Sequence, residues 1–419
     1  MTLSEDLAWR GQIKDHTFSD ITWLNTPKSF YLGVDCSSAD SLTIGNLAIF
    51  MLAKRLYKAG WKTVLLVGGA TSLIGDPGGK DEERQLKSRE DIAHNVAGIK
   101  LQVQQLFQGE NFTLVDNYDW FKDVNYLEFL RDVGKHYSMT ELIQRDFISE
   151  RMNEGGSGIS YAEFSYTLIQ GYDFLRLFKD HDVKLQIGGS DQWGNILSGV
   201  SLIRKKENQE AHALSIPLVI NKATGKKFGK SEEGAIWLDP NKTSPTQFYQ
   251  FWINCDDADV EDYLKVYTEL DKLSIDEIMA KQRENPPERF AQTRLAQELT
   301  KLIHGDLELQ RAEQVTRLLT GKIQLNALDD KALAVVLEEL RRQLPHAIRG
   351  AAAEIADVLV ETGLASSKTD ARRLLADKAI AINGQKVTRE NFEAADFQNG
   401  RLLIRKGKAF KDSALVENS

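Results

Sequence analysis

Two glycine-rich segments of this sequence carry cations at spacings that suit a phosphate chain. Lys80 and Arg84 lie four residues apart after the glycines of GGATSLIGDPGG, and Lys227 and Lys230 lie in GKKFGKS. Glycine lets a loop move and approach a ligand closely, and mobile cations stabilise the charge that develops on a leaving pyrophosphate. Charge runs of this kind are also common in solvated turns. Neither segment has the G-x-x-x-x-G-K-[ST] spacing of a Walker loop, so another type of phosphate chemistry is predicted.

The stretch YLGVDCSSADSLTIGNLAIF, residues 31–50, has the pattern of a strand, a turn of small residues and the start of a helix. Residues such as Ser37, Ser38 and Gly45 allow a nucleotide to approach the backbone, and a helix N-terminus favours an anionic phosphate. The stretch contains neither histidine nor lysine, so other segments must supply the positive charge. The same residues would also suit an ordinary strand-to-helix turn with polar caps.

A third signal is a polar stripe in the helical run SYTLIQGYD. Tyr166, Gln170 and Asp173 fall at positions i, i+4 and i+7, which lie on one face of a helix. A stripe of hydroxyl, amide and carboxylate could hold a small zwitterionic ligand, with the carboxylate serving its ammonium or hydroxyl group. The alternative interpretation is a buried polar network without a ligand, and we favour the binding site.

These residues need a scaffold, and the sequence predicts an α/β fold. The apolar runs SFYLGVD and TVLLVGG, separated by a helical run, form one βαβ unit, and VKLQIGGSD followed by a helix repeats the pattern. We therefore predict a Rossmann-like, doubly wound parallel sheet over about the first 220 residues. Ligands of such sheets bind beyond the carboxyl ends of the strands. Four segments fall at such ends: 35–46, 68–84, 188–195 and 222–231.

The pattern changes twice downstream of the predicted sheet. Residues 244–319 contain helical runs with almost no strand-like alternation, which predicts a separate all-α domain. Residues 320–349 contain one more amphipathic run and a connection. In the final segment, Asn383-Gly384 between AIAI and QKV predicts a type I′ hairpin.

Composition excludes several classes of protein and site. With 419 residues, 42% hydrophobic and 27% charged, the chain has the balance of an ordinary globular protein of more than one domain. Two cysteines and seven scattered histidines, without an H-E-x-x-H spacing, predict neither a disulfide framework nor a metal centre. Without a membrane-spanning run or a secretion signal, a cytoplasmic protein is expected. The net charge of −8 argues against broad nonspecific nucleic-acid binding, and no DNA partner is predicted.

Taken in order, these segments resemble the bacterial tyrosyl-tRNA synthetases, a family of class I aminoacyl-tRNA synthetases, over essentially the full length of the chain. TIGN stands where the class has its HIGH signature, and KFGKS stands where it has KMSKS. GGATSLIGDP, YDFLRL and GGSDQWGNI are more specific to the tyrosyl family. SKTDARRLL with the following hairpin resembles the S4-type RNA-binding module of many bacterial members.

The resemblance implies a tyrosine–tRNA ligase activity in two steps. L-Tyrosine would attack the α-phosphate of ATP, used with Mg²⁺, to give tyrosyl-adenylate and pyrophosphate, and the tyrosyl group would then pass to the 3′ end of tRNA-Tyr. Positioning and electrostatic stabilisation carry this chemistry without a protein nucleophile. The family also implies a homodimer. It implies five segments: a Rossmann-like catalytic domain (1–222), a KMSKS-type loop (223–243), a helical anticodon-recognition domain (244–320), a linker region (321–350) and an S4-like α+β RNA-binding domain (351–419).

The family pattern also implies roles for individual residues. The implied catalytic group is Ser38, Thr43, Asn46, Lys80, Arg84, Lys227 and Lys230. The implied tyrosine site has Tyr31 and Asp173 at the phenol hydroxyl, Asp76, Tyr166 and Gln170 around the ammonium, and Asn117 and Gln192 nearby. The implied ATP site is Asp35, Gly45, Asn46, Gly189, Asp191 and Lys230. The implied RNA contacts are Lys368, Arg372 and Arg373, and no protein ligand for a metal ion is implied.

The departures from the family are concentrated in the first turn. Members commonly read D-P-T-A-x-S-L-H-x-G-H, whereas this chain reads DCSSADSLTIGN, which is one residue longer and lacks both histidines. Ser38 best matches the family threonine, with Ser37 as its rival. Thr43 can donate a hydrogen bond toward a phosphate oxygen, and the Asn46 amide can take the place of an imidazole N–H. Both are neutral donors like the histidines they replace. Two alternatives stay beside the active tyrosyl enzyme: a tryptophanyl enzyme, whose signature TIGN resembles, and a non-catalytic paralogue that binds RNA. The pair Tyr31 and Asp173 and the S4-like tail argue against the tryptophanyl enzyme. The four cations argue against the paralogue.

Overall fold

The computed structural model describes most of the chain as two compact units. The described residues are 1–76, 87–109, 111–143, 148–149, 152, 158–222, 225, 228, 230–231, 234–407 and 412–418, with the backbone alone for 141, 230, 231, 330 and 331. The first unit comprises Met1–Lys242 and Asp256–Ala280, and the second comprises Thr243–Cys255 and Lys281–Ser419. The helical segment predicted as one domain thus contributes residues to both units.

Helices and strands alternate through the first unit, and strands return near the end of the chain. The helices of the described residues are α1 (Leu3–Trp9), α2 (Ile44–Lys58), α3 (Thr71–Ile74), α4 (Arg89–Leu106), α5 (Tyr118–Phe121), α6 (Tyr126–Asp132), α7 (Met139–Ile143), α8 (Tyr161–His181), α9 (Trp193–Glu207), α10 (Pro245–Ile253), α11 (Val260–Tyr267), α12 (Lys272–Glu284), α13 (Phe290–Leu319), α14 (Asp330–Gln343), α15 (Ile355–Glu361) and α16 (Lys368–Ala376). The strands are β1 (Ser29–Val34), β2 (Lys62–Val67), β3 (Phe112–Asp116), β4 (Leu185–Gly189), β5 (His212–Ile216), β6 (Lys230–Ser231), β7 (Gly234–Ala235), β8 (His346–Ile348), β9 (Ile380–Ile382), β10 (Gln385–Lys386), β11 (Arg401–Lys406) and β12 (Ser413–Glu417). In this part of the chain no helix combines the length and the apolar character needed to cross a membrane.

The first unit is built on a parallel sheet with the strand order β3-β2-β1-β4-β5. Phe30 of β1 pairs with Thr63 of β2 on one side and with Leu185 of β4 on the other, so β1 lies in the centre. The three strands are largely buried apolar runs, as expected for a sheet covered on both faces. The chain runs outward from β1 to β3 and then returns to the other side of β1. The strand order therefore reverses between β1 and β4, which opens a crevice at their carboxyl ends and confirms the doubly wound α/β fold.

Helix α2, which follows β1, is held near its C-terminal end by buried arginine contacts. The Arg55 guanidinium donates to the carbonyl oxygens of Lys265 and Thr268 at 3.1 and 2.6 Å. Arg10 donates to the same Lys265 carbonyl at 2.8 Å. Carbonyl groups at the end of a helix lack intrahelical partners and attract cations. These bonds explain why α11, inside the predicted helical segment, belongs to the unit that contains the parallel sheet.

The second unit joins helices to a five-stranded sheet of order β10-β9-β11-β12-β8. Helix α10 packs on α13, whose axis breaks at Gly305 with a φ of 84°. Asn383 and Gly384, which join β9 to β10, have φ angles of 47° and 81°, and the flanking residues Ile382 and Gln385 pair. Positive φ at both central residues is the requirement of a type I′ turn, so the hairpin predicted at this position is confirmed.

Alternate residues of the C-terminal sheet enter two different apolar clusters. Leu402 and Ile404 of β11 pack in a cluster with α15 and α16, whereas Leu403 packs in a cluster with α13 and α14. This follows from the two-residue period of a strand, which sends successive side chains to opposite faces. Helix α14 and strand β8, which lie in the segment predicted as a linker, are therefore part of the packed C-terminal structure.

Candidate active site

A cleft of about 350 Å³ lies at the carboxyl ends of β1 and β4, where the strand order reverses. Residues from the start of α2, from α8 and from the turn after β4 also line it. Many of the residues assigned from the family pattern meet there: Tyr31, Asp35, Thr43, Gly45, Asn46, Asp76, Tyr166, Gln170, Asp173, Gly189, Asp191 and Gln192. The sheet thus brings together side chains that are far apart in the sequence.

The buried wall of the cleft contains Tyr31 and Asp173, which are 1% and 2% exposed. Each Asp173 carboxyl oxygen accepts one hydrogen bond: Oδ2 from Asn117 Nδ2 at 3.0 Å and Oδ1 from Trp120 Nε1 at 2.9 Å. Asn117 is itself fixed, because the Ala70 N–H donates to its Oδ1 at 2.7 Å. The Tyr31 hydroxyl has no partner within the described residues. Since an unpaired buried hydroxyl is costly, this one is a natural position for a ligand group.

Burial controls the protonation of these two groups. Burial raises the pKa of Asp173 to about 8, although the hydrogen bonds from Asn117 and Trp120 favour the ionised form. Burial, followed by the nearby charge of Asp173, raises the pKa of Tyr31 well above its usual value. At neutral pH the ligand-free pair therefore carries its protons and can both donate to and accept from a ligand hydroxyl.

A second carboxyl group, that of Asp76, lies in the cleft among amide donors. Gln192 Nε2 donates to Asp76 Oδ2 at 2.5 Å, and Asn195 Nδ2 lies 3.5 Å from Asp76 Oδ1. Asn195 is oriented in turn by Thr167, whose hydroxyl donates to Asn195 Oδ1 at 2.8 Å. A ligand ammonium could take the place of the Gln192 amide, because a carboxylate binds a cation more strongly than a neutral donor.

The polar stripe predicted on one helix lies on α8 and faces the cleft. Tyr166, Gln170 and Asp173 all line the cleft, so the stripe is part of an accessible site and not a network sealed from it. The helix begins with a capping box between Ser160 and Glu163. The stripe is therefore carried by a helix whose first turn is held by its own side chains.

Strand β4 ends in two glycines, against which the ends of neighbouring side chains pack closely. A Cβ at Gly188 would lie 2.7 Å from Ile196 Cδ1, and a Cβ at Gly189 would lie 2.6 Å from Asp191 Oδ1. Asp191 therefore stands directly against the end of the strand, at the edge of the cleft. A carboxylate at this edge of a doubly wound sheet can accept hydrogen bonds from ribose hydroxyls.

The turn that follows β1 is stabilised by hydrogen bonds to the side chain of Asp35. Its carboxylate accepts from the Ser37 N–H at 2.9 Å, from the Ser37 hydroxyl at 2.6 Å and from the Ser72 hydroxyl at 3.0 Å. This local turn accommodates the extra residue. The Ser38 carbonyl accepts from Lys87 Nζ at 2.9 Å. Asp35 lines the cleft, whereas the described lining includes neither serine, so the roles of Ser37 and Ser38 stay predictions.

The T-I-G-N stretch begins α2, and its two polar side chains bond to each other. Asn46 Oδ1 accepts from the N–H and from the hydroxyl of Thr43 at 3.0 and 2.9 Å. The Thr43 hydroxyl, for which we expected a phosphate oxygen as acceptor, is therefore used within the stretch. This bonding leaves the NH₂ group of Asn46 as the side-chain donor that can serve a ligand in the cleft.

The chain that follows the second cation segment runs beside T-I-G-N. The Ile44 N–H donates to the Ile236 carbonyl at 3.0 Å, and the Leu238 N–H donates to the Leu42 carbonyl at 2.9 Å. Backbone hydrogen bonds therefore hold the chain that follows the second cation segment against the start of α2.

Phe228 anchors the second cation segment. Its ring centroid lies 4.3 Å from that of Tyr263 and 6.1 Å from that of Tyr267, both on α11. A Cβ on Gly45 would lie 3.7 Å from the Phe228 carbonyl oxygen, so the segment passes close to the start of α2. The predicted cations Lys80, Arg84 and Lys227 lie outside the described residues, as does the side chain of Lys230, and their roles stay predictions.

The three cations predicted to contact RNA lie together on α16 of the second unit. The side chains of Lys368, Arg372 and Arg373 are 56%, 59% and 71% exposed. Lys368 Nζ lies 2.5 Å from Asp357 Oδ1, and Arg372 lies 4.0 Å from Glu354. Because exposed ion pairs are weak, these cations can exchange their carboxylate partners for phosphate groups.

Sequence reasoning missed residues that orient the site without contacting a ligand. Trp120 donates to Asp173, and Asn195 contacts Asp76. Each of the two lies three residues after a predicted site residue, Asn117 and Gln192 respectively, which is a spacing of neighbours on a helix. The sequence therefore offered one signal for both residues, namely their three-residue spacing from a predicted site residue.

Known proteins match this chain along most of its length. The family described as "tRNA synthetases class I (W and Y)" matches residues 24–320, and "Tyrosine--tRNA ligase SYY-like C-terminal domain" matches residues 337–411. Tyrosine--tRNA ligase 1 of Enterococcus faecalis is 43% identical over 424 residues, which covers 97% of this chain and 98% of that protein. Tyrosine--tRNA ligase 2 of Bacillus cereus is 42% identical over 430 residues and covers 100% of both.

A solved structure agrees with these matches. The C-terminally truncated mitochondrial tyrosyl-tRNA synthetase of Aspergillus nidulans is 32% identical, with a TM-score of 0.69 over 76% of this chain and 94% of that chain. The family match, the full-length relatives and the solved structure therefore indicate the same class of protein as the residues of the cleft. The chain belongs to the tyrosine–tRNA ligase family of class I tRNA synthetases.

Proposed function

We propose that this chain activates L-tyrosine with ATP to form tyrosyl-adenylate and pyrophosphate, and then transfers the tyrosyl group to the 3′ end of tRNA-Tyr. One observation carries the choice of amino acid: the buried Tyr31 hydroxyl, which lacks a partner in the described residues, lines the cleft together with Asp173. A substrate phenol placed there would pair both groups. We place the reaction in the cytoplasm, where tRNA is charged for translation.

The phenol end of the site selects by hydrogen bonding and not by shape alone. A substrate that lacks the hydroxyl leaves Tyr31 and Asp173 buried without a new partner, and that penalty falls on the wrong substrate only. The tyrosyl enzymes are themselves the standard illustration of this effect. Asn117 and Trp120 contribute by fixing the Asp173 carboxyl, so that the penalty cannot be relieved by its rotation.

The other groups in the cleft serve the ammonium and the nucleotide. Asp76, with Tyr166 and Gln170 on α8, would bind the tyrosine ammonium and direct its carboxylate toward ATP. A carboxylate oxygen then attacks the α-phosphorus, the bond to the bridging oxygen of the β-phosphate breaks, and pyrophosphate leaves with that electron pair. Asp35, Gly189 and Asp191 would hold the adenosine, while positioning and electrostatic stabilisation supply the rate.

The phosphates would lie against neutral donors and mobile cations. The side-chain amide of Asn46 would donate to a phosphate at the N-terminus of α2, whose dipole favours an anion, and the predicted cations Lys80, Arg84, Lys227 and Lys230 would balance the charge of pyrophosphate. Among the described residues, no group of three or more histidine, cysteine, aspartate or glutamate side chains could hold a metal ion. The Mg²⁺ implied by the family would enter with ATP as part of the substrate, and no step is assigned to a resident metal.

The purified protein should exchange pyrophosphate into ATP with tyrosine and not with tryptophan or phenylalanine. Phenylalanine leaves the phenol end unpaired, and the tryptophan indole cannot place a hydroxyl there. The measurement is the incorporation of labelled pyrophosphate into ATP with each amino acid in turn. Exchange with tryptophan alone would instead make this a tryptophanyl enzyme, and exchange with none of the three would favour the RNA-binding paralogue.

Replacement of Asp173 by asparagine should change the pH dependence of stability. Because the folded-state pKa of about 8 lies above the ordinary value of 3.8, the folded protein holds this proton more tightly than the unfolded chain does. Stability contributed by the protonated carboxyl is therefore lost as pH rises from about 4 to about 8. Asparagine does not titrate, so D173N does not lose this contribution. Its free energy of unfolding relative to that of the wild type should therefore increase as the pH rises through this range.

Denaturant titrations at several pH values measure this difference directly. D119N is the matched control, because the Asp119 side chain is 72% exposed. It should follow the wild-type profile. Parallel profiles for wild type and D173N would contradict the assignment of a raised pKa to Asp173.

The cations of α16 should matter for transfer to tRNA and not for activation. We propose that Lys368, Arg372 and Arg373 contact RNA phosphates. The double variant R372A/R373A should lower kcat/KM for tRNA charging by about tenfold or more and reduce its salt dependence, since two phosphate contacts are lost. Pyrophosphate exchange should be unchanged. K179A, which removes a surface lysine of the first unit that is 53% exposed, is the control, and equal charging by the control and the double variant would refute this RNA contact.

We also infer that two copies of this chain associate through an apolar surface between residues 118 and 161. Many of the exposed large hydrophobic side chains of the described residues lie there: Tyr118, Tyr126, Leu127, Met139, Ile143, Met152 and Tyr161. Helices α6 and α8 approach each other at this surface, where the hydroxyls of Tyr126 and Tyr161 are 3.5 Å apart. A concentration of exposed apolar side chains of this kind marks an association surface.

The variant L127E should convert a dimer to a monomer in sedimentation experiments. Leu127 is 73% exposed, so the charge is tolerated in the monomer and is buried without a partner only in the dimer. The matched control is L273E, at a leucine that is 72% exposed elsewhere in the first unit. Dimer formation by both variants, or a monomeric wild type, would refute this interface.

A further inference from the structure

Helix α4 packs along the turn that follows β1. Three residues on one face of this helix contact the turn or approach it closely. Asn95 Nδ2 donates to the Cys36 carbonyl at 2.8 Å. At Gly98 the helix comes so close that a Cβ would lie 2.3 Å from the Asp40 carbonyl oxygen. Gln102 contacts the end of the turn. Residues 95, 98 and 102 follow the i, i+3, i+7 spacing of one helix face, so they form one continuous surface of α4.

Gln102 uses both ends of its amide on the last residues of the turn. Its Oε1 accepts from the Leu42 N–H at 2.7 Å, and its Nε2 donates to Ser41 Oγ at 2.9 Å. The Ser41 hydroxyl in turn donates to the Leu42 carbonyl at 3.0 Å. Ser41 and Leu42 are 6% and 1% exposed, so water cannot readily replace the amide.

Gln102 contacts the residue that comes just before the T-I-G-N stretch. Leu42 immediately precedes Thr43, and its carbonyl also accepts from the Leu238 N–H at 2.9 Å. Leu42 is thus fixed on one side by α4 and on the other by the chain that leaves the second cation segment. Its position decides where Thr43, and through Thr43 the Asn46 amide, stand in the cleft.

We propose that Gln102 is a positioning residue for adenylate formation, which it supports by fixing the backbone that presents the Asn46 amide to the phosphates of ATP. Asn95 and Gly98 complete the same surface. The side chain of Gln102 does not line the cleft as described, so its effect passes through Leu42. This proposal rests on the proposed activation of tyrosine by ATP.

The test compares kcat, KM for tyrosine and KM for ATP in pyrophosphate exchange. Q102L keeps the size of the side chain and removes both hydrogen bonds, and it should lower kcat by about tenfold or more because misplacement of a substrate-facing group raises the barrier. The KM for tyrosine should stay within about twofold, since the phenol end does not contact this turn. Q102E should recover part of the loss, because a carboxylate keeps the acceptor for the Leu42 N–H but has no N–H to donate to Ser41 Oγ, whose own proton is used on the Leu42 carbonyl.

Two further variants test the same surface. Q105L removes an exposed glutamine of the same helix and should behave as wild type. G98A places a Cβ 2.3 Å from the Asp40 carbonyl oxygen, a backbone atom, so the turn must shift although the side chains of Asn95 and Gln102 are kept. It should therefore lower both kcat and the thermal midpoint, and a wild-type kcat in G98A would overturn the role of this surface.

Calorimetric titration with ATP distinguishes a failure of this proposal from a failure of the proposed function. A wild type that binds ATP but shows no exchange with tyrosine would overturn the proposed activity, and weaker ATP binding by Q102L would still support the role of Gln102. Equal kcat and equal ATP affinity in wild type and Q102L would overturn that role. A parallel rise in the KM for tyrosine, or no recovery in Q102E, would also overturn it.

Discussion

The reversal of strand order between β1 and β4 is the constraint on which the rest of the site depends. Because the connections from these two parallel neighbours leave toward opposite sides, their loops diverge and a crevice opens at the carboxyl edge. Tyr31 and Asp35 come from β1 and its end, and Asp191 comes from the end of β4. Helix α8 lays its polar stripe along the same crevice. One topological feature therefore gathers the groups that we propose for the phenol, the ammonium and the nucleotide.

The two carboxyl groups of the tyrosine site differ in how they are supported. Asp173 receives two donors, Asn117 and Trp120, that are fixed by the protein, and burial raises its pKa to about 8. Asp76 receives the amide of Gln192, a side chain that lines the cleft and accepts from Asn195 Nδ2 at 3.2 Å. A buried, largely neutral group suits a phenol hydroxyl, whereas a carboxylate that lines the cleft suits an ammonium. In the proposed function, this difference gives each end of tyrosine its own partner.

Much of this could be read from sequence because it depends on local patterns. The buried strands, the stripe at 166, 170 and 173 and the Asn383-Gly384 turn each follow from a period or a turn chemistry within a few residues. The remainder depends on long-range placement. Nothing near Arg55 in the sequence indicates the carbonyls it binds on α11. The Thr43 hydroxyl was assigned singly to a phosphate, although its nearest acceptor, Asn46, lies three residues away. Contacts between site residues were harder to predict than the residues themselves.

The bond between Thr43 and Asn46 explains how a chain without the two signature histidines can keep a working donor. A carboxamide can present either its oxygen or its NH₂ group, and the Thr43 N–H and hydroxyl both require the oxygen. The orientation of Asn46 is thus decided by Thr43, and the two replacements act as one unit. Since Leu42 is held by Gln102 and by the Leu238 N–H, this unit is anchored from both sides. The proposed function needs only neutral donors at this position, because the segments around Lys80 and Lys227 are the predicted source of positive charge.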